Sequence, residues 1–324
     1  MRISTSSELL VSVIVCTYNR AKLLEKTLQS LINQNLDGDY EIVVVDNASS
    51  DNTRAVVDKI ADSSTRIRYI YEERLGVAIA RNTGARLSRA DCIVFFDDDN
   101  VADPNCVREL LRPYDEIIPK PSIVAGKVDL EWEGNERPSW FSDRYDRWVS
   151  RYDFGDQPRQ LTADDYIVTM NVAFDRESYL GSHGIREDLC RKGRMFITSG
   201  DTDLFVRMLS QGMHAYYQPS ALAFHFVPRS RQKRSWLLKR IFGEGTTQIV
   251  VDRELYQKSW KATYAKYFRE LRSCVGSVGR LAAACWRRSE ARLDCLLLTA
   301  MHLGRMSALA QIALHRSEIV TTSE

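Results

Sequence analysis

The first hundred residues alternate short apolar runs with longer amphipathic stretches. Val11-Ser-Val-Ile-Val-Cys16 is rich in β-branched residues and reads as a strand buried on both faces. It stops at Thr17-Tyr18-Asn19-Arg20, and from 21 to 32 the residues Leu23, Leu24, Leu28, Leu31 and Ile32 recur at helical spacing. Glu41-Ile-Val-Val-Val45 repeats the strand pattern and ends in Asp46-Asn47-Ala48-Ser49-Ser50-Asp51. A helix over about 52–61 turns Val56, Val57 and Ile60 inward. A short strand at 67–71, a turn at Gly76, a helix over about 77–88 and the apolar run Cys92-Ile-Val-Phe-Phe96 follow.

This β-α-β-α-β alternation predicts a mostly parallel sheet with right-handed crossovers. Such sheets bind ligands at the carboxyl ends of their strands. The polar loops 17–20, 46–51 and 97–100 all lie at those ends, so they converge on one crevice. The run Phe95-Phe96-Asp97-Asp98-Asp99-Asn100 aims three like charges at one point, which is unfavourable without a cation. Oxygen ligands suit a hard divalent ion, Mg2+ or Mn2+. A solvated turn is the other reading of the same residues.

Composition adds boundaries. The 324 residues, 44% of them hydrophobic, allow two domains or one large α/β domain with an ample core. A net charge of +2 gives no reason to invoke nucleic acid. Charge is uneven, however: Arg229, Arg231, Lys233, Arg234, Lys239 and Arg240 follow one another without an acidic residue, as an anion-binding cluster or a solvated helix face does. Seven scattered cysteines without a C-x-x-C pair signal neither a disulfide framework nor a zinc site, and point to a reducing compartment. Residues 1–10 lack the pattern of a signal peptide, and no run of about 20 apolar residues exists, so the chain reads as soluble or peripheral. The last third is helical by pattern. Its final segment, 293–314, either lies on an anionic membrane surface, with Arg287, Arg288 and Arg292 upstream, or packs on the catalytic domain or a second subunit.

Four motifs in order and spacing carry a resemblance: Val13-Ile-Val-Cys-Thr-Tyr-Asn-Arg20, Val44-Val-Asp-Asn-Ala-Ser-Ser-Asp51, Ala80-Arg-Asn-Thr-Gly84 and Phe95-Phe-Asp-Asp-Asp-Asn100. Together they resemble a non-processive bacterial glycosyltransferase of family 2, over roughly residues 10–250. The resemblance implies an α/β fold of the GT-A type, a nucleotide-binding, mostly parallel sheet flanked by helices, with a helical C-terminal extension. It places a catalytic domain at 1–240, its nucleotide-binding half at about 10–125 and acceptor half at about 126–240, and the extension at 241–324. It implies that Thr17, Tyr18, Asn19, Arg20 and Asp46 hold the nucleotide, that Arg81 lies near base and phosphates, and that Asp99 ligates the metal. Asp97 joins Asp99 at the metal or turns with Asp98 toward the ribose.

Ser199-Gly200-Asp201-Thr202-Asp203 resembles the family's acidic motif on the acceptor side, so Asp201 carries over as catalytic base, with Gly200 where an acidic neighbour is commoner. A helix cap is the structural alternative for Asp201 and Asp203. His225, between Phe224 and Phe226, is assigned to the diphosphate and metal region, and Leu189-Cys-Arg-Lys-Gly193 to a loop that closes over substrate. The aromatic stretch from Trp132 through Trp140 to Trp148 suits an acceptor cleft or core filling. The Gln-x-x-Arg-Trp pattern of processive synthases is absent, since Arg234 and Trp236 stand at the wrong offsets from Gln232.

The implied function is metal-dependent, inverting transfer of one sugar from a nucleotide-diphosphate sugar to an acceptor hydroxyl, in bacterial surface polysaccharide or glycolipid synthesis. A UDP-sugar is the leading donor, with thymine and guanine open, and the acceptor is a glycan, a glycolipid or a small molecule. The place implied is the cytoplasm, or the cytoplasmic face of the inner membrane with peripheral contact through the C-terminal helices. Two other readings stay open: a non-catalytic nucleotide-sugar-binding partner subunit, and a sugar-phosphate nucleotidyltransferase. The second wants a glycine-rich phosphate loop after the first strand, and residues 17–20 contain no glycine.

Overall fold

The computed structural model describes residues 9–187, 200–256, 260–284 and 289–314. The described residues form two compact units, one of 9–135, 149–187 and 200–227, the other of 136–148 and the described residues beyond 228.

The first unit is built on a nine-stranded sheet. Strands β1 (Val11–Thr17), β2 (Tyr40–Asp46), β3 (Ile67–Tyr71) and β4 (Cys92–Asp97) are parallel, in spatial order β3-β2-β1-β4. Helices α1 (Ala21–Ile32), α2 (Thr53–Ala61) and α3 (Val77–Leu87) connect them. Each strand begins and ends within a residue or two of the apolar run that predicts it. Those runs are continuous rather than alternating because both faces are covered. Val13 and Val15 pack with Leu24, Leu28 and Leu31 of α1, while Ile14 packs on the opposite face with Ala78, Ala80 and Ala85.

Beyond β4 the sheet changes direction. After β5 (Asn100–Ala102) and α4 (Cys106–Glu116) come β6 (Ile123–Trp132), β7 (Arg159–Leu161), β8 (Asn171–Asp175), α5 (Arg176–Gly181), α6 (Gly200–Ser210) and β9 (Ala215–Val227). β8 runs antiparallel to β4 and β6, β6 is parallel to β9, and β5 and β7 both pair antiparallel with β9. The register of β6 on β9 jumps from Gly126↔Gln218 to Lys127↔Leu222, so Pro219, Ser220 and Ala221 bulge out. Gly126 makes room: a Cβ there would stand 2.4 Å from the Ala221 carbonyl and from Asn171 Nδ2. Among the strands beyond β4, only β8 and β9 announce themselves in the sequence, because β6 carries Lys127, Asp129 and Glu131, and β5 and β7 are three residues each.

The second unit holds helices α7 (Arg234–Tyr256), α8 (Trp260–Ala284) and α9 (Ser289–Leu314). Helical pattern in the sequence stands over 260–271 and again from 278, and both stretches lie in the single helix α8. Phe242 of α7 and Gly304 of α9 meet at backbone distance, since a Cβ on Gly304 would stand 2.0 Å from the Phe242 carbonyl oxygen. Leu293 and Leu297 of α9 are buried. His302 gives Glu270 a 2.6 Å contact, and Arg305 reaches both Glu270, at 3.2 Å, and Gln248, at 2.6 Å. His302 and Arg305, which interrupt the apolar side of α9 in the sequence, are therefore internal ties of the helical unit. No helix among the described residues is long and apolar enough to cross a membrane. The five cysteines of the described residues are free thiols.

Candidate active site

The loops that follow β1, β2 and β4 converge, and side chains stitch them together. Asn19, at φ 53°, accepts hydrogen bonds through Oδ1 from the backbone N–H of Ser50 (2.7 Å) and of Asp51 (3.2 Å), and its own N–H donates to Ser49 Oγ at 2.9 Å. Asp51 accepts from the N–H groups of Ala21 and Thr53, so one carboxylate satisfies the first turns of both α1 and α2. Asp46 is buried and occupied on both oxygens, by the Ser49 N–H at 2.9 Å and the Tyr69 hydroxyl at 2.7 Å. Tyr18, in the same loop as Asn19, is 49% exposed.

The acidic turn is the centre of the crevice. Thr27 of α1 donates to the carbonyls of Asp98 (3.0 Å) and Asn100 (2.7 Å), fixing the backbone of the turn. Arg20 Nη1 bridges Asp98 Oδ1 at 2.8 Å and Asp99 Oδ2 at 2.9 Å. Burial raises the Asp98 carboxyl to about 6, against the pull of Arg20 and helped by the Asp99 charge. The buried Thr17 hydroxyl makes no hydrogen bond of good geometry, yet lies near enough to Asp98 to favour its charged form. Asn100, opposite His225 in the β5–β9 register, places Oδ1 3.0 Å from His225 Nδ1, and Asp99 Oδ1 lies 3.3 Å from the same nitrogen. Two oxygen acceptors at Nδ1 assign the proton there and leave the lone pair on Nε2.

The third cluster joins the turn to α6. Arg81 Nη2 binds Asp97 Oδ1 at 2.7 Å, and Nη1 lies 3.7 Å from Asp201 Oδ1. Burial opposes the Arg81 charge, but Asp97 and Asp201 more than offset it and raise its pKa. Burial raises the Asp97 carboxyl against the pull of Arg81, with Asp99 adding to the rise; at 31% exposure, water screens much of this. Asp201 Oδ2 accepts from the Thr169 hydroxyl (2.9 Å) and N–H (3.2 Å), so its rotamer is fixed by β8's approach rather than by capping its own helix. Asp203 instead pairs with Arg207 within α6, at 2.7 Å.

Comparison with known proteins fits this construction. The model of glycosyl transferase family 2 matches residues 12–180, from β1 into α5. The chain belongs to glycosyl transferase family 2. Among its relatives, a glucosyl-dolichyl phosphate glucuronosyltransferase of Haloferax volcanii is 26% identical over 248 residues, 75% of this chain and 77% of the relative. The succinoglycan biosynthesis protein ExoM of Rhizobium meliloti is 26% identical over 306 residues, 92% of each chain. A solved mannosyltransferase from Pyrobaculum calidifontis, in complex with GDP-Man and Mn2+, superposes with a TM-score of 0.60 at 21% identity, over 97% of this chain and 89% of that one. The sheet with its flanking helices is thus the GT-A fold, and the activity of the family is glycosyl transfer.

The residues that the sequence singles out for the donor, the metal and the base lie in the first unit, whereas Trp140 and Trp148 lie in the second, and Arg20, Arg81, Asp97, Asp98, Asp99, Asp201 and His225 form one chain of contacts through the acidic turn. Thr17, Tyr18, Asn19 and Asp46 border it. The loop 189–193 lies outside the described residues. Thr27, Asn100 and Thr169 escape sequence reasoning, since each is a neutral residue whose importance comes from a carbonyl, an imidazole or a carboxylate distant in the chain. Among the described residues, no three His, Cys, Asp or Glu side chains are arranged to hold a metal ion by themselves. Asp97 and Asp99 offer carboxylate oxygens instead, and His225, which meets Asp99 through Nδ1, orients that carboxylate. That suits an ion such as Mg2+ or Mn2+, which keeps waters and takes substrate phosphates as ligands.

Proposed function

We propose that this chain is an inverting, metal-dependent glycosyltransferase in which Asp201 is the base and the acidic turn holds the donor diphosphate. The observation that supports it is Arg81, which touches Asp97 of the acidic turn and Asp201 with one guanidinium. A protein that only bound nucleotide-sugar has no use for a carboxylate held at that place. Thr169 fixes Oδ2 of Asp201, so Oδ1 is the oxygen that takes the acceptor proton. The acceptor oxygen then forms its bond to the anomeric carbon as the bond to the diphosphate breaks on the opposite face, and configuration inverts.

Asp99 and Asp97 would hold Mg2+ or Mn2+ and bring its Lewis acidity to the leaving diphosphate, with His225 beside them in the diphosphate and metal region. Thr17, Tyr18, Asn19, Arg20, Asp46 and Asp98 line the nucleoside side, and Arg81 balances charge between turn and base. We assign the donor as a UDP-sugar by resemblance to the family, and the acceptor as a hydroxyl on a glycan or lipid-linked sugar, in keeping with what the names of the Haloferax and Rhizobium relatives say of those proteins. The catalytic domain is taken as 1–240 and the helices beyond 241 as its extension, with peripheral contact at the cytoplasmic face of a membrane.

The test is thermal unfolding against a panel of nucleoside diphosphates with and without Mn2+, followed by transfer assays. One nucleotide should raise stability only when Mn2+ is present, by about 2.7 kcal/mol at a hundred times its Kd. That shift should vanish in Asp99→Ala. Asp201→Asn should keep the shift and lose on the order of 10²–10⁴ in kcat. A shift that survives Asp99→Ala would sink the metal assignment, and full activity in Asp201→Asn would leave the chain as a binding subunit.

A further inference from the structure

On α8 the described side chains divide by chemistry. Glu270, Cys274 and Ser277 are buried, and Glu270 is tied to His302 and Arg305 of α9. The opposite side carries Phe268, Leu271, Val275 and Val278, at 60%, 36%, 65% and 50% exposure. Their spacing of three, four and three places them along one face of the helix. Arg272, exposed, edges this strip, about 40° round the helix from Phe268 and about 60° from Val275. Glu270 is the only acidic residue in the whole of α8, and it points into the bundle.

We infer that this face of α8 is a docking surface for an anionic lipid bilayer, with Phe268, Leu271, Val275 and Val278 entering the headgroup boundary and Arg272 at its edge pairing with lipid phosphates. An apolar strip edged with cationic charge and free of carboxylates is the pattern of a helix lying in a membrane interface. Charge decides between occupants. In a two-fold dimer through this face, the same patch meets itself, so Arg272 would approach its own copy with no carboxylate on the face to receive it. An anionic bilayer supplies the missing charge. The inference deepens the membrane contact proposed above and rests on it, but on none of the donor-site chemistry.

The experiment is flotation of the full chain with vesicles of neutral phosphatidylcholine, and with vesicles containing a third phosphatidylglycerol, at low and at high salt. The chain should float with the anionic vesicles at low salt and lose binding as salt rises. Arg272→Gln should weaken partition about fivefold, the worth of one cation near such a surface. Val275→Asp, at the most exposed apolar position, should abolish flotation while thermal unfolding and the nucleotide-induced shift stay as in the parent, which shows that the variant is folded. Sedimentation equilibrium runs in parallel. Failure to float with anionic vesicles overturns the inference, as does flotation that Val275→Asp leaves intact. A dimer dissolved by Val275→Asp in a chain that does not float makes a second copy the occupant. Loss of flotation leaves nucleotide binding untouched, so failure here is distinct from failure of the catalytic reading.

Discussion

Gly84→Ala tests the link between packing and the site. Gly84 lies on α3 against β1 and β2, where an added Cβ would stand 2.4 Å from Ile14 Cγ2 and 3.2 Å from Val45 Cγ2. Ordinary contact needs about 3.4 Å or more, so roughly 1 Å has to be found. Ile14 is fully buried in the central strand and β-branched, so it has no alternative rotamer to yield with. The substitution would normally gain about 0.5–1 kcal/mol of helix propensity. Overpacking costs about 1–3 kcal/mol, so the net effect is a loss of up to about 2.5 kcal/mol. The relief available is a lift of α3 from the sheet, and Arg81 sits one turn earlier on the same helix. A lift of that size stretches the 2.7 Å Arg81–Asp97 contact beyond hydrogen-bonding distance. Misplacement by about 1 Å can cost on the order of 10² in rate. Urea unfolding reads the first effect, and steady-state transfer the second, where kcat should fall more than KM rises. A variant as stable and as active as the parent would mean that α3 does not rest on Ile14 as described.

Thr169→Val removes the hydroxyl that fixes Asp201 Oδ2 at 2.9 Å while keeping the shape of the side chain. It should lower kcat about tenfold, the worth of a hydrogen bond of 1.4 kcal/mol, and spare the nucleotide-induced thermal shift; a loss of that shift would contradict the role. Glu72 accepts from Arg74 and from the Thr83 hydroxyl, chiefly the former, and these hold its carboxyl down to about 2. Because the folded value lies below the unfolded one, its contribution is complete above about pH 4.5 and lost as pH falls toward 2, with a ceiling of about 3 kcal/mol. Glu72→Gln should therefore flatten the acid limb of a stability–pH profile and lower stability at pH 7; an unchanged acid limb would show that Glu72 is not its source.

The parallel half of the fold was legible because its strands are uninterrupted apolar runs, a pattern forced by burial on both faces. Past β4 the signal weakens for a physical reason. β6 alternates charged and apolar residues and pairs with strands from two distant parts of the chain, so its partners cannot be inferred from local pattern. At the site, charged residues were legible and neutral ones were not. Asp97 to Asp99, Arg81 and Asp201 stand out because burying such groups needs a purpose. Asn100 and Thr169 look ordinary until β5 meets β9 and the turn before β8 meets Asp201 of α6. Asp46 and Asn19 shift in emphasis, since their polar atoms hold the strand-end loops together as well as bordering the crevice.

Charge at the site sets an order of binding. Four carboxylates, Asp97, Asp98, Asp99 and Asp201, face two arginines, Arg20 and Arg81, so with a neutral imidazole the ionised site carries two negative charges. The rise of the Asp98 carboxyl to about 6 reports that crowding, with burial as its larger cause. A donor diphosphate is itself an anion and meets a field of its own sign. On the metal-dependent function proposed above, a divalent cation would cancel the excess and would therefore precede or accompany the donor. Nucleotide-induced stabilisation should then be absent in chelator at any accessible nucleotide concentration, and calorimetry should find the cation binding weakly alone and tightly with nucleotide, by the same coupling factor read from either side. Tight nucleotide binding in chelator, undiminished by salt, would show that Arg20 and Arg81 suffice and that the charge balance drawn from these six side chains is wrong.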